Sequence, residues 1–116
     1  MFCMEAAGDA FKCLSNPIRR SVLDHLRASS LSVEQIFSRV IAIKKISLSS
    51  LSEHLSLLKS AGMVEVEVRA TERIYSLRKE GFVEVLDWAK DYEQFWDLRL
   101  SRLGDYLDRM DKNEAH

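Results

Sequence analysis

The stretch SLSSLSEHLSLLKSAGMV, from Ser47 to Val64, is the most informative part of this sequence about its fold. Five of its first ten residues are serines, a composition that often marks a flexible linker. Four of its five leucines, however, are spaced by 3, 4 and 3 residues, which is the spacing of one face of an α-helix. We therefore predict a helix that covers one side with small hydroxyl groups and buries a stripe formed by Leu48, Leu51, Leu55 and Leu58.

The residues around this stretch set the bounds of the helix and of its neighbours. Ser47 is a suitable N-cap and Gly62 a suitable C′ residue, so the helix is predicted over residues 48–61. Upstream, Asn16 and Pro17 mark a helix start, and Ser32 with Gln35 fits a capping box. These signals predict three earlier helices, over residues 3–14, 17–28 and 32–43.

The period of the apolar residues changes after Gly62. VEVEVR, residues 64–69, alternates strictly as a half-exposed strand does, and RIYSLR, residues 73–78, follows as the return strand of a hairpin. A last helix is predicted over residues 79–110, because its apolar residues follow a heptad spacing interrupted at Glu93. Such a helix spans about 45 Å, longer than a domain of this size covers, so we expect part of its apolar surface to meet a second subunit.

Together these elements predict a mainly α (α+β) winged helix-turn-helix fold in one domain, residues 1–116. The order is α1-α2-α3-α4-β-β-α5, with dimerisation through the terminal helices. A helix that enters a DNA major groove buries one side and presents small or hydrogen-bonding residues on the other. The serine-rich face of the helix over residues 48–61 fits that requirement. The alternative is an amphipathic core helix with an ordinary solvated surface.

Neither the composition nor the net charge of the chain excludes binding to DNA. The chain is 47% apolar and 30% charged, which is ordinary for a globular domain. It has no apolar run of the ~18 residues that a membrane span needs and no signal peptide at its start, so we expect a cytoplasmic protein. The net charge of −1 hides a split, because residues 39–79 carry eight positive and four negative side chains, whereas residues 80–116 carry five positive and ten negative. Such asymmetry can confine a polyanion to one surface, or it can simply be a solvated acidic helix.

Two long stretches carry a recognisable signature, FKCLSNPIRRSVLDHL, residues 11–26, and SLSEHLSLLKSAGMVEVEVRATERIYSL, residues 50–77. In residue type and spacing they resemble the ArsR family of bacterial winged-helix repressors. The resemblance implies a homodimeric transcriptional repressor that binds double-stranded DNA at a near-palindromic operator, with no cofactor and with its inducer left open. The first and last helices would form the dimer interface, which we assign to Phe11, Phe95, Trp96, Leu100, Leu103, Leu107 and Met110.

The same resemblance assigns the DNA-binding residues. Ser52 and His54 match the family's DNA-facing S-x-H, and Lys59 matches a frequently basic position near the end of the recognition helix. For His54 the alternative is a structural histidine that forms its hydrogen bonds inside the helix-turn-helix. Further candidates lie at the exposed start of this helix, in the wing, in the connection before the helix and at Glu53. The complete set of predicted DNA-binding residues is Lys44, Lys45, Ser49, Ser50, Ser52, Glu53, His54, Lys59, Arg69 and Arg73.

Three features depart from the family pattern. Glu53 stands where many relatives carry a basic residue, and it either accepts from a cytosine amino group or weakens binding beside phosphates. The connection after the third helix is about four residues longer than usual, and its Lys44 and Lys45 either contact phosphate or lie in a solvated loop. The wing turn RATER, residues 69–73, is short and lacks glycine.

The sequence offers little for metal, thiol or enzyme chemistry. The third helix lacks cysteine, histidine and aspartate, the last predicted helix lacks histidine, and no catalytic motif is present, so we expect no metal site and no enzyme activity. Cys3 and Cys13 lie ten residues apart on the first predicted helix, too far to bridge within it. Two other hypotheses remain, a thiol-based redox-sensing repressor that uses these cysteines, and a winged-helix protein-interaction module that no longer binds DNA.

Overall fold

The computed structural model describes the backbone of residues 9–114 and the side chains of residues 9–110. Within it the chain divides into two compact units, one ending at Val85 and the other beginning at Leu86. Residues 9–14 are helical and form the described part of α1. The rest of the first predicted helix, with Cys3, lies outside the described residues.

The remaining elements follow the predicted order with one addition, a short strand before the third helix. They are α2 (Pro17–Leu26), β1 (Leu31–Ser32), α3 (Val33–Ile41), α4 (Leu48–Ser60), β2 (Val64–Arg69), β3 (Glu72–Leu77), a 3₁₀ turn (Lys79–Phe82) and α5 (Val83–Glu114). The helices and the β2–β3 hairpin confirm the winged helix-turn-helix plan. Both α2 and α3 end two residues before their predicted ends, and the 3₁₀ turn occupies the predicted start of α5.

Side-chain caps explain where three of these helices begin. The Asn16 side chain accepts hydrogen bonds from two backbone N–H groups of the first turn of α2. The capping box of α3 is complete, since Ser32 N–H donates to the Gln35 side chain at 2.9 Å and Gln35 N–H donates to Ser32 Oγ at 3.2 Å. Ser47 Oγ accepts from Ser50 N–H at 3.0 Å at the start of α4. All three caps were predicted from the sequence and are confirmed.

The end of α4 is fixed by two glycines. Gly62 has a φ of 75° and closes a Schellman motif, in which Met63 N–H donates to the Leu58 carbonyl at 3.0 Å. Gly81, in the 3₁₀ turn, lies directly against this bend, and a Cβ built on it would overlap the Gly62 carbonyl and the Met63 Cα. Arg78 N–H donates to the Met63 carbonyl at 2.9 Å. The backbone before α5 is therefore tied to the backbone that ends α4.

The sheet has three antiparallel strands in the order β1-β3-β2. Tyr75 of β3 is the central residue, opposite Leu31 of β1 on one side and Val66 of β2 on the other. The wing turn is as short as predicted, because Arg69 pairs with Glu72 and leaves two residues between them. Ala70 adopts a φ of 56° there, a left-handed conformation that glycine would adopt with less strain.

The core confirms three of the four leucines of the predicted stripe. Leu51, Leu55 and Leu58 are at most 1% exposed and belong to one cluster with residues of α2, α3 and β2. The prediction for Leu48 is wrong, since it is 52% exposed. Leu48 is the first residue of α4, and it borders a shallow cavity beside the wing residues Thr71 and Arg73 instead of entering the core.

Most of α5 forms the second unit, and its apolar side chains are exposed in the single chain. The six candidate interface residues on α5 are between 42% and 61% exposed; they are Phe95, Trp96, Leu100, Leu103, Leu107 and Met110. The aromatic side chains contact one another along the helix, with Phe95 and Trp96 ring centroids 5.1 Å apart. None of the helices within the described residues is both long and apolar enough to cross a membrane.

Candidate nucleic-acid interface

The polar face of α4 is open to solvent. Ser49, Ser52, Glu53 and Lys59 are exposed, and Ser50 is half-buried. The hydroxyls of Ser49 and Ser52 make no hydrogen bond within the described part of the chain. These hydroxyls are therefore free to serve as donors or acceptors for a partner that lies against the helix.

The wing supplies two exposed arginines in different electrostatic settings. Arg69 Nη2 lies 3.1 Å from Glu67 Oε2, and both side chains are about two-thirds exposed, so the pair is weak but offsets part of the charge of Arg69. Arg73 forms no ion pair with any residue that the structure describes. Of the two, Arg73 therefore presents the less compensated charge.

Helix α4 and the β2–β3 hairpin, or wing, border a groove, which we call the helix–wing groove. It has a volume of about 540 Å³ and is lined by Val33, Ser52, Leu55, Ser56, Lys59, Val66, Val68, Arg73 and Tyr75. The structure thus brings together Ser52, Lys59 and Arg73, three of the residues predicted to bind DNA. Lys44 and Lys45 are exposed in the connection between α3 and α4 and do not line it.

His54, another predicted DNA-facing residue, is half-buried and contacts α2. Its Nδ1 lies 3.1 Å from Arg19 Nη1. Because a guanidinium can only donate, Nδ1 is the acceptor and the ring proton is on Nε2. Arg19 also donates to the carbonyls of Cys13, at 3.2 Å, and Lys12, at 3.0 Å, at the end of α1. The histidine is therefore satisfied on one side by the helix-turn-helix, while its Nε2 has no partner among the described residues.

Comparison with known proteins agrees with this architecture. A family model described as a helix-turn-helix domain matches residues 14–67. The transcriptional repressor SdpR of Bacillus subtilis is 27% identical over 84 residues, which are 72% of this chain and 89% of SdpR. The crystal structure of the ArsR family transcriptional regulator RHA00566 is 25% identical, with a TM-score of 0.65, over 80% of this chain and 92% of that one.

The chain belongs to the ArsR family of winged helix-turn-helix transcriptional regulators. A further solved relative, the homodimeric winged helix-turn-helix DNA-binding domain Mb0332 from Mycobacterium bovis, is 25% identical with a TM-score of 0.62, over 80% of this chain and 84% of that domain. The family and the fold are those of transcription regulators.

Regulators of the ArsR family that sense metals or oxidants need ligands or reactive thiols. Within the described residues no group of three histidine, cysteine or acidic side chains could hold a metal ion. Cys13 is only 4% exposed, and its thiol donates to the Leu57 carbonyl at 3.6 Å. Burial raises the pKa of the Cys13 thiol, the Asp9 charge raises it too, and the Arg19 charge only partly opposes them. These surroundings favour the unreactive thiol over the thiolate.

Two residues of this ArsR-family site were not predicted as members of it. Arg19 lies 35 positions from His54 in the sequence, and only the packing of α2 against α4 brings them together. Tyr75 looks like an ordinary strand aromatic, although it matches a tyrosine of the family signature. That match was the one signal in the sequence that could have drawn attention to it.

The Arg19–His54 contact gives a testable titration. Burial lowers the pKa of the His54 imidazole, the Arg19 charge lowers it further, and Glu53 opposes them. We expect ¹⁵N NMR to show neutral His54 protonated on Nε2, with a midpoint below the usual value of about 6.5. Because the folded pKa is lower than the unfolded one, the contribution of His54 to stability is lost as the pH falls from about 6.5 through the folded pKa.

Substitution of Arg19 separates the causes of this shift. Arg19→Gln should raise the His54 midpoint part of the way towards its usual value, since burial remains, and should release the tautomer preference. Arg20→Gln is the matched control, because Arg20 donates to the Leu14 carbonyl at 2.6 Å and forms no hydrogen bond with His54 within the described residues. Equal midpoints in Arg19→Gln and Arg20→Gln would show that the contact does not exist in solution.

Proposed function

We propose that this chain is a homodimeric repressor that binds a near-palindromic operator through α4 and the wing. The observation that carries the proposal is the helix–wing groove, where Ser52 and Lys59 of α4 meet Arg73 of the wing. Hydroxyls on a recognition helix and cations beside it are the groups that contact base edges and phosphates in protein–DNA interfaces. As a DNA-binding regulator it would act in the cytoplasm.

Within this proposal the candidate residues have different roles. Ser49, Ser50 and Ser52 face the base edges, where serine is adaptable but only weakly selective. Lys59 and Arg73 contact phosphates and so position the protein on DNA. Arg69 contributes a further phosphate contact when its ion pair with Glu67 is broken. The exposed Lys44 and Lys45 reach a flanking phosphate, and His54 donates through Nε2. Glu53 is exposed among these residues, and its negative charge weakens binding.

Dimerisation is proposed through α1 and α5. The apolar residues of α5 are largely exposed in the single chain, and Phe11 of α1 is half-buried. A soluble protein rarely leaves so long an apolar surface uncovered unless it meets a partner. The relative Mb0332 is a homodimeric DNA-binding domain, which supports a second copy as that partner. Two recognition helices would then enter major grooves one helical turn, ~34 Å, apart.

The proposal predicts how charge reversal changes the salt dependence of binding. Lys59→Glu and Arg73→Glu should each weaken binding to all duplexes alike and reduce the slope of log K against log salt by about 1. Ser52→Ala should instead change which sequence is preferred. The measurement is fluorescence anisotropy over a salt series, with DNA from upstream of the protein's own gene and a scrambled duplex.

Arg102→Glu is the control for these variants. It makes the same charge change on an exposed residue of α5, outside the heptad positions and outside the helix–wing groove. If Arg102→Glu weakened binding as much as Lys59→Glu, net charge alone would account for the effect and the assigned surface would be wrong.

A protein-interaction module is the second candidate, and one observation favours it. Glu53 is exposed on the recognition face, and Glu67 pairs with the wing arginine Arg69, so two carboxylates lie where DNA would bind. This candidate requires that the wild-type protein show no salt-dependent binding to either duplex at low salt. The redox-sensing alternative is weakened by the burial of Cys13, and an oxidant response abolished by Cys13→Ser would revive it.

A further inference from the structure

Tyr75 is a buried residue whose polar end is left open. It is 7% exposed and occupies the centre of the sheet between β1 and β2. Its hydroxyl forms no hydrogen bond within the described residues. The only described side-chain polar atom that is both buried and unpaired is Ser21 Oγ, so the Tyr75 hydroxyl is reached by solvent. Since Tyr75 lines the helix–wing groove, we take this opening to be the groove itself.

The charges around the groove are of one sign. Lys59 lines it from α4 and Arg73 from β3, and no acidic residue lines it. Neither cation forms an ion pair within the described part of the chain, where the two ion pairs are Arg69–Glu67 and Arg78–Glu80. Two uncompensated cations and an unpaired hydroxyl donor therefore border the same concave surface, which favours a small polyvalent anion over a neutral or cationic ligand.

We propose that the helix–wing groove is a binding site for a single phosphate group, held by the Tyr75 hydroxyl together with Lys59 and Arg73. The inference rests on the proposed function, because the phosphate is assigned to the DNA backbone next to the bases that α4 reads. Tyrosine donates to a phosphate oxygen through a charge-assisted hydrogen bond, which is stronger than a bond between neutral groups. A free phosphate has the same chemistry and would compete with DNA for the groove.

The contacts of Lys59 and Arg73 and the contact of the Tyr75 hydroxyl should affect the salt dependence of DNA binding differently. Lysine and arginine displace counterions from DNA, so their loss changes the salt slope. Removing the Tyr75 hydroxyl changes no charge. Tyr75→Phe should therefore weaken binding on the order of 10-fold for both the upstream and the scrambled duplex, with an unchanged salt slope. The melting temperature of the free protein should not change, because the hydroxyl has no hydrogen-bond partner within the described protein. A merely structural role would lower it.

The experiment compares wild type, Tyr75→Phe and the control Tyr106→Phe, which removes a hydroxyl from an exposed tyrosine of α5. Anisotropy gives affinities and salt slopes, and ethylation interference on the upstream duplex identifies the contacted phosphates. We expect ethylation of one phosphate in each half-site to interfere strongly with wild type and Tyr106→Phe, and less with Tyr75→Phe, in which only Lys59 and Arg73 still contact that phosphate. If wild type binds the upstream duplex selectively and Tyr75→Phe gives the same affinity and footprint, the groove assignment is wrong and the proposed function stands.

A second arm tests the groove without DNA. Inorganic phosphate is added to the ¹⁵N-labelled protein and compared with chloride at the same ionic strength. Phosphate-dependent shifts confined to the amides of the groove, and needing about 10-fold more phosphate in Tyr75→Phe, support the site. These amides are Ser52, Ser56, Lys59, Arg73 and Tyr75. If such shifts occur but wild type binds no DNA, the proposed function fails and the groove takes a free anion. No DNA binding and no phosphate-specific shifts would overturn both proposals.

Discussion

Replacing Leu55 by alanine is expected to lower the free energy of unfolding by about 3 kcal/mol, within the 2–5 kcal/mol range of buried leucines. Leu55 is 1% exposed and lies in the middle of α4, between the equally buried Leu51 and Leu58. The truncation removes apolar contacts and leaves a cavity among helices that cannot close around it. Such a loss is a large part of the total stability of a domain, commonly 5–15 kcal/mol.

Leu48→Ala is the matched control for this prediction. It makes the same substitution in the same helix, but at a residue that is 52% exposed, so the change should stay within about 0.5 kcal/mol. Both variants are compared with wild type by urea unfolding at one protein concentration, because the stability of a dimer depends on concentration. Similar losses in the two variants would mean that Leu48 is buried in solution, by the core or by a second subunit.

Replacing Leu103 by glutamate is expected to convert the proposed dimer into a monomer. Leu103 is 50% exposed in the single chain and lies at a heptad position of α5, next to Leu100 and Leu107 on the same face. In the dimer the substitution would bury a carboxylate without a partner, which is more costly than losing the leucine alone. We expect the dissociation constant of the dimer to rise at least about 100-fold.

Sedimentation equilibrium of wild type, Leu103→Glu and Ser101→Glu measures this effect. Ser101→Glu adds the same charge two residues away on α5, outside the heptad positions, and should leave the dimer intact. Operator affinity should fall in Leu103→Glu alone, because a monomer reaches only one half-site. A wild-type protein that is monomeric at micromolar concentration, or a Leu103→Glu variant that remains dimeric, would contradict the assignment of α5 as the interface.

Local signals in the sequence were sufficient where a few neighbouring residues determine the backbone. The two ends of α4 are marked by Ser47, its N-cap, and by Gly62, its left-handed C′ residue. The alternation of residues 64–69 identified β2. The heptad spacing of α5 predicted one continuous helix, and the structure has one of 32 residues. These features depend on hydrogen bonds and side-chain periodicity within one element, so no knowledge of the tertiary structure was needed.

Features that depend on packing between elements could not be predicted in this way. Strand β1 has two residues, too few for a period, and it exists because Leu31 pairs with Tyr75. The spacing of the leucines gave the direction of the buried face but not how far the core extends, so Leu48 was placed inside it. The contact of Arg19 with His54 and the helix–wing groove both join residues distant in the sequence, and only the fold shows them.

The contact of Gly81 with the bend after α4 has an evolutionary consequence. Gly81 is only half-buried, and by exposure alone it would be expected to vary freely among descendants of this gene. Yet the smallest possible side chain would collide with the backbone of Gly62 and Met63, and backbone cannot give way as a flexible side chain can. Selection should therefore hold this glycine as firmly as a core leucine. Lineages that lose it should carry a lengthened or rebuilt turn ahead of α5.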